Sequence, residues 1–297
     1  MTRIFALLAA LAVATTAAAQ EGTLKKIKDS GAITIGHRDA SVPFSYYDDK
    51  QQPVGYAMDI CAKVVDAVKS ELKLPNLKTN YQLVTSANRI PLMANGTIDL
   101  ECGSTTNNLA RQEQVWFATT HFVTANRFVS KKSAKIGKLA DLKGKTIVST
   151  AGTTNIKQIT EINGEQKLGM NIISANGHAE AFQMVETGRA VAFVMDDILL
   201  YSLVAQSRSP KDYDISKEAL SVEPYGIMVR KDDAAFKKTV NGAINALYKS
   251  GEINKIYDKW FLKPIPPKNI NLNVPMSAQF KKVVANPTDS GDPAAYK

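Results

Sequence analysis

The sequence holds only two cysteines and three histidines, and neither shows the spacing of a metal site. It lacks a Gly-x-Ser-x-Gly elbow, a Walker A loop, a Gly-x-Gly-x-x-Gly turn behind a strand and a His-Glu-x-x-His helix. Chemistries that depend on those motifs have no foothold, and no acid–base pair stands out by spacing. Internal repeats of about 20–50 residues, the mark of solenoids, are absent as well. Long apolar runs are also missing, since the one at Ile4–Val13 is too short to cross a bilayer and no later run approaches that length. Met1-Thr2-Arg3 precedes that run, and small residues ending Ala17-Ala18-Ala19 follow it. This order predicts a secretory signal peptide over residues 1–19, cleaved after Ala19, and a mature chain in the periplasm. No cysteine follows the cleavage point, so a lipid anchor is not expected.

What is present is a chain with 44% hydrophobic residues and a net charge of +9. That content supports real cores and excludes a wholly disordered chain. The cations are scattered among acids in an exported chain, so nucleic acid is not an expected partner; the field suits anionic solutes instead. An oxidising compartment allows Cys61 and Cys102 to pair. Cys61 also sits in a helical apolar stripe with Met58, Val65, Val68 and Leu72. Both cysteines therefore read equally well as small core residues or as a disulfide.

Apolar strand-like runs alternate with helical patterns. Strands are expected at Ile33–His37, Lys78–Val84, Ile98–Gly103, Thr146–Ser149, Ile172–Ala175, Ala190–Met195 and Tyr225–Arg230. Helices are expected at Met58–Leu72, near Ile90–Ala94, and at Ile156–Leu168, Ala179–Thr187, Ile198–Ala205 and Ala234–Ser250. Such alternation predicts an α/β fold with mostly parallel sheets. Two extended runs, Phe122–Ser130 and Glu218–Tyr225, read as crossings between two lobes. The lobes would then be 20–124 with 223–297, and 125–222. The tail from Pro264 reads as an irregular surface strap that frays near its end.

Ligands of open parallel sheets bind beyond the carboxyl ends of the strands. The residues that follow the expected strands are Arg38; Ser86 and Arg89; Ser104, Thr105 and Thr106; Gly152, Thr153 and Thr154; Gly177 and His178; and Asp196. Arg38 and Arg89, with Arg111 farther on, would supply three guanidinium forks suited to carboxylates. Asp196 would accept from an ammonium group. The inventory fits a small solute with two carboxylates and one ammonium. Each residue also has a plainer reading: Ser86 and Asp196 could cap helices, Thr153-Thr154 could simply open one, and Arg111 could be an ordinary surface arginine. The aromatic cluster Phe44, Tyr46 and Tyr47 reads as core before it reads as a ligand cover.

Several segments carry a resemblance: GHRDASVPFSYYD from Gly36, TSANRIP from Thr85, ECGSTTNN from Glu101, STAGTT from Ser149, GRAVAFVMDD from Gly188 and KPIPPKNINLN from Lys263. Together they resemble the periplasmic glutamate/aspartate-binding proteins of the polar amino-acid ABC importers, over about Leu24 to Asn273. The resemblance implies a type II two-lobe fold that binds by hinge closure, works as a monomer without cofactors and performs no catalysis. Its implied partners are an importer's membrane permease and ATPase. It also implies roles: Arg38, Ser86, Arg89 and His178 at the side-chain carboxylate; Ser104, Thr106, Arg111 and the Thr153–Thr154 loop at the α-carboxylate; Ser104 and Asp196 at the ammonium. Ala87 and Ala110 depart from the family pattern without touching these positions. Rival readings are another amino acid, a dehydratase on the same scaffold, and a soluble sensor.

Overall fold

A computed structural model describes residues 22–297, so the expected signal peptide and its cleavage point lie outside the described residues. The chain opens with α1 (Thr23–Ser30), β1 (Ala32–His37), the short strands β2 (Ala40–Ser41), β3 (Ser45–Tyr47) and β4 (Pro53–Val54), and α2 (Tyr56–Leu72). It continues through β5 (Lys78–Leu83), α3 (Arg89–Ala94), β6 (Leu100–Glu101), α4 (Leu109–Gln112) and β7 (Val115–Phe117). The strand β8 (Phe122–Lys131) then crosses into a second lobe. That lobe holds β9 (Thr146–Thr150), α5 (Thr154–Glu165), β10 (Asn171–Ala175), α6 (His178–Glu186), β11 (Ala192–Asp196), α7 (Asp197–Gln206) and β12 (Tyr213–Ile215). The chain returns through β13 (Ser221–Tyr225) to β14 (Met228–Arg230), α8 (Ala234–Ser250), α9 (Glu252–Phe261) and α10 (Ala278–Ala285).

Each lobe is built on one sheet. The first runs β5-β1-β6-β14-β7 and the second β10-β9-β11-β8-β12. Three strands in each are parallel: β5, β1 and β6 in the first, β10, β9 and β11 in the second. The remaining pairings are antiparallel, with β14 and β8 reversed against their sheets, so both sheets are mixed. The reason is connectivity: β8 enters its sheet from the other lobe, against the direction set by the βα units. The two crossings pair with each other, Phe122 opposite Tyr225 and Asn126 opposite Ser221. The interlobe connection is thus a two-stranded ribbon.

The apolar spacing seen in sequence accounts for the helices. α2 buries Met58, Cys61, Val65 and Val68 on one face, and α8 buries Phe236, Val240, Ile244 and Leu247. Gly55 starts α2 at φ 142°, where a Cβ would fall 2.2 Å from the Phe44 carbonyl oxygen, so only glycine fits. Cys61 and Cys102 form a disulfide across 41 residues, with Cα atoms 6.3 Å apart. It ties α2 to the loop leaving β6, and closing a loop of that size contributes about 2–4 kcal/mol. Phe44 and Tyr46 are buried, with Phe44 edge-on to Tyr56, Phe122, Tyr225 and Phe261. The cluster is core.

Two expectations change. The run Tyr225–Arg230 is not one strand: β13 ends at Tyr225 and β14 starts at Met228. Gly226 makes the step between lobes, where a Cβ would crowd the Ala118 carbonyl oxygen at 3.2 Å. The tail is neither wholly irregular nor frayed. It contains α10 and ends in a short 3-10 turn, Pro293–Tyr296, with Tyr296 buried. The Tyr296 hydroxyl bonds Thr120 Oγ1 at 2.7 Å, and Phe280 packs against Phe122 and Tyr257. Among the described residues, no helix is long and apolar enough to cross a membrane.

Candidate functional site

The carboxyl ends of the parallel strands of both lobes meet at the ribbon and enclose a small, tightly closed cavity. Ser86, Arg89, Ser104 and Thr106 line it from the first lobe; Thr153, Thr154, Asn155, His178, Met195, Asp196 and Leu199 line it from the second. The lobes are closed over it. Arg111 Nη2 donates to the Gly152 carbonyl oxygen at 3.1 Å, and Thr154 Oγ1 lies 3.5 Å from Thr106 Oγ1. Gly152, at φ 73°, makes the approach possible, because a Cβ there would fall 2.6 Å from Ala87 Cα.

Eight of the ten residues expected from sequence line the cavity directly. Arg38 and Arg111 are the other two, both buried. Arg38 follows β1, and its backbone N–H donates to Ser45 Oγ at 2.9 Å. Its Nε and Nη1 atoms have no hydrogen-bond partner in the protein. Arg111 is held in α4, with Nη1 donating to the Thr106 carbonyl oxygen at 2.8 Å. Arg89 opens α3; its Nη1 donates to Thr105 Oγ1, and its Nε has no partner. Thr105 Oγ1 in turn donates to Glu101 Oε2 at 2.6 Å.

Several plain alternatives are decided by geometry. Ser86 does not cap α3, because Thr85 and Asn88 exchange bonds with each other instead: Thr85 N donates to Asn88 Oδ1 at 2.7 Å and Asn88 N to Thr85 Oγ1 at 3.2 Å. The Ser86 and Ser104 hydroxyls are buried and unpartnered. Thr153, by contrast, uses its hydroxyl within its own turn, donating to the Thr150 carbonyl and accepting from Ile156 N. What this turn can still offer is backbone N–H, which the start of any helix leaves over. Thr154 Oγ1 donates to Glu223 Oε2 at 2.9 Å. Asp196 makes no cap bond to α7; its Oδ1 accepts from Asn155 Nδ2 at 2.7 Å and its Oδ2 from the Tyr225 hydroxyl. Asp197 faces away, paired with Arg127 at 3.1 Å.

Burial perturbs the three arginines, His178 and Asp196. Desolvation and the neighbouring Arg89 bring Arg38 down to about 10 and Arg111 down to about 9. Arg89 is lowered by burial, with Glu101 opposing. Burial, followed by Arg38 and Arg89, pushes His178 well below the usual histidine range, so its ring is neutral. His178 Nδ1 is 2.9 Å from Thr150 Oγ1, and its Nε2 is unpartnered. Asp196 is pushed up to about 7 by burial, with Glu223 adding to the rise. The site therefore concentrates three guanidinium groups against Glu101, Glu223 and a carboxyl that resists ionisation. A small anion relieves that imbalance; a cation aggravates it.

Reading from strand ends missed Asn155, Met195 and Leu199 in the lining, and Glu101, Glu223 and Tyr225 in the frame behind it. Asn155 adjoins the Thr153-Thr154 pair, and Glu101 opens the ECGSTTNN segment, so both lay beside residues already marked. Nothing local distinguishes Glu223, whose partners Thr154 and Gln158 are 69 and 65 residues away.

Comparison with known proteins adds an independent observation. The family described as bacterial extracellular solute-binding proteins, family 3, matches residues 33–263. An L-glutamate/L-aspartate-binding protein of Pseudomonas aeruginosa is 58% identical over 269 residues, covering 90% of this chain and 89% of that one. A glutamate/aspartate import solute-binding protein of Escherichia coli is 48% identical, over 96% of this chain and 94% of that one. Among solved structures, a cysteine-binding protein from Campylobacter jejuni superposes with a TM-score of 0.72 at 26% identity, over 85% of this chain and 98% of that one.

Proposed function

This chain belongs to family 3 of the bacterial extracellular solute-binding proteins, and from that premise we propose that it captures L-glutamate or L-aspartate outside the cytoplasm and hands it to an ABC importer. The observation that carries the reading is a set of buried side chains at or beside one closed cavity, each with at least one polar atom that finds no partner in the protein: Arg38, Ser86, Arg89, Ser104 and His178. Buried polar groups are nearly always satisfied, so five together around a cavity point to a polar ligand. The relatives' named ligands agree with the charge argument.

In this reading, Arg38, Ser86, Arg89 and His178 hold the side-chain carboxylate. His178 serves as a neutral ring that donates from Nε2 while Nδ1 accepts from Thr150. Arg111, Thr106 and the start of α5 at Thr153 and Thr154 take the α-carboxylate. Ser104 and Asp196 receive the ammonium. The two ligand carboxylates then meet the guanidinium forks and the ammonium meets Asp196, whereas glutamine leaves one fork without its anion. Losing one partner of a buried charge pair costs about 2–5 kcal/mol. Arginine would set a fourth cation among three.

Binding requires motion, since residues of both lobes line the cavity and the lobes touch across it at Arg111 and Gly152. Segments 20–124 with 223–297 and segment 125–222 are the two bodies that part about the β8–β13 ribbon, a hinge of the kind that periplasmic binding proteins use. Closure desolvates the charged contacts and presents a surface to the importer's permease, whose ATPase drives uptake. The chain acts as a monomer and reaches the periplasm by cleavage after Ala19. Native mass spectrometry of the protein purified without added ligand tests the reading. A retained mass equal to glutamate or aspartate is expected; retained arginine, cystine or glutamine would contradict it.

A further inference from the structure

Asn107 and Asn108 close the ECGSTTNN segment, yet neither lines the cavity. Asn108 caps α4, its Oδ1 accepting from Arg111 N at 2.9 Å. Asn107 is fully buried and joins three parts of the molecule. Its backbone N–H donates to the Pro224 carbonyl of the hinge strand β13 at 2.7 Å. Its Nδ2 donates to the carbonyl oxygens of Asp289 at 2.8 Å and Ser290 at 3.3 Å, in the C-terminal strap. Its Oδ1 accepts from Gln112 Nε2 at 2.8 Å, and Gln112 also reaches the Asp289 carbonyl at 3.2 Å.

The strap lies flat against this turn. A Cβ at Gly291 would fall 2.8 Å from the carbonyl carbon of Asn108. Its other end is fastened too. Thr120 N donates to the Thr288 carbonyl at 2.8 Å, Tyr296 bonds Thr120 and Ser290, and Lys237 pairs with Asp289 at 2.7 Å. α4 has four residues, too few to hold a helical turn by itself. Asn108 and the Thr106 carbonyl hold Arg111 within the turn, and the strap holds the turn itself through Asn107 and Gln112. The strap lies beyond residue 263, where the family match ends.

We propose that the strap segment Thr288–Gly291, acting through Asn107 and Gln112, is a positioning device for Arg111. It locks the turn carrying that arginine to the first-lobe end of the hinge strand, so the guanidinium is in place before the ligand arrives. Holding a binding group in its bound conformation raises affinity by removing the cost of ordering it. No strap residue touches the ligand. The proposal rests on the assignment of Arg111 to the α-carboxylate.

The test titrates the full chain with L-glutamate and L-aspartate by calorimetry. The variants are Asn107→Ala and Gln112→Ala, each alone and combined with Arg111→Lys, with ligand-free melting curves to follow the fold. Loss of the three Asn107 side-chain contacts should raise Kd about tenfold, by the same factor for both ligands, because they share the α-carboxylate. Gln112→Ala should act in the same direction by a smaller factor. In the Arg111→Lys background the fork is already gone, so the same substitutions should cost under about twofold more. Losses that multiply in full in that background, or no loss in either variant, overturn the proposal while leaving the Arg111 assignment standing. Unchanged binding in Arg111→Lys alone overturns that assignment and the positioning role with it. Should Asn107→Ala not fold, Gln112→Ala and Gly291→Ala carry the same comparison.

Discussion

Asp196 is where residue chemistry makes the sharpest commitment. In the closed site burial pushes it up to about 7, and Glu223 adds to the rise. A ligand ammonium beside it favours the ionised form. Binding below about pH 7 must therefore expel a proton. The affinity should fall as pH drops below 7, by up to about tenfold per unit, and level off above it. Burial, Arg38 and Arg89 hold His178 well below the usual histidine range. Glutamate titrations at pH 6 in two buffers of different ionisation enthalpy check this: proton release is expected, and Asp196→Asn should abolish it. A flat profile between pH 5 and 7 would mean that Asp196 does not meet the ammonium.

Among the elements, the turn from β9 into α5 governs closure. Gly152 occupies a left-handed conformation with its Cα against the Ser86-Ala87 backbone of the other lobe. Gly152→Ala adds both backbone strain and a clash, together about 2–3 kcal/mol against the closed form. We expect glutamate affinity to drop roughly 30- to 150-fold, with small-angle scattering showing an open shape in the presence of ligand. A variant that closes and binds normally would show that the lobes approach differently. This element also shows what the sequence conveys. The strand ends Arg38, Ser86, Ser104 and Asp196 were legible because a βα unit delivers the residue after each strand to one edge. Whether Ser86 capped its helix was not legible, because the answer lay in the mutual bonds of Thr85 and Asn88. Thr153 was read as a contact, yet its hydroxyl closes its own turn and only its backbone is free. The strap was read as fraying because it holds few apolar residues. Its anchors are backbone carbonyls at 288–290, which carry no sequence signature, and one tyrosine near the chain end.

For the whole molecule, function reduces to charge accounting inside a closing shell. Without residues 1–19, whose one charged residue is Arg3, the net charge of +9 becomes +8, which favours anionic solutes, and under the proposed function the cavity sorts them by the number and spacing of their carboxylates. Glutamate and aspartate differ by one methylene, worth about 1–3 kcal/mol in a fitted pocket, whereas glutamate and glutamine differ by a buried charge. The account therefore predicts a sharper boundary at the second than at the first. Calorimetric titration of the ligand-stripped protein with L-glutamate, L-aspartate, L-glutamine and L-arginine at neutral pH measures that boundary directly. Tight binding of glutamate or aspartate, with glutamine and arginine at least about 30-fold weaker, is the predicted result. Comparable affinity for glutamine, or silence toward both acidic amino acids, would contradict the assignment of the three arginines and the function built on it.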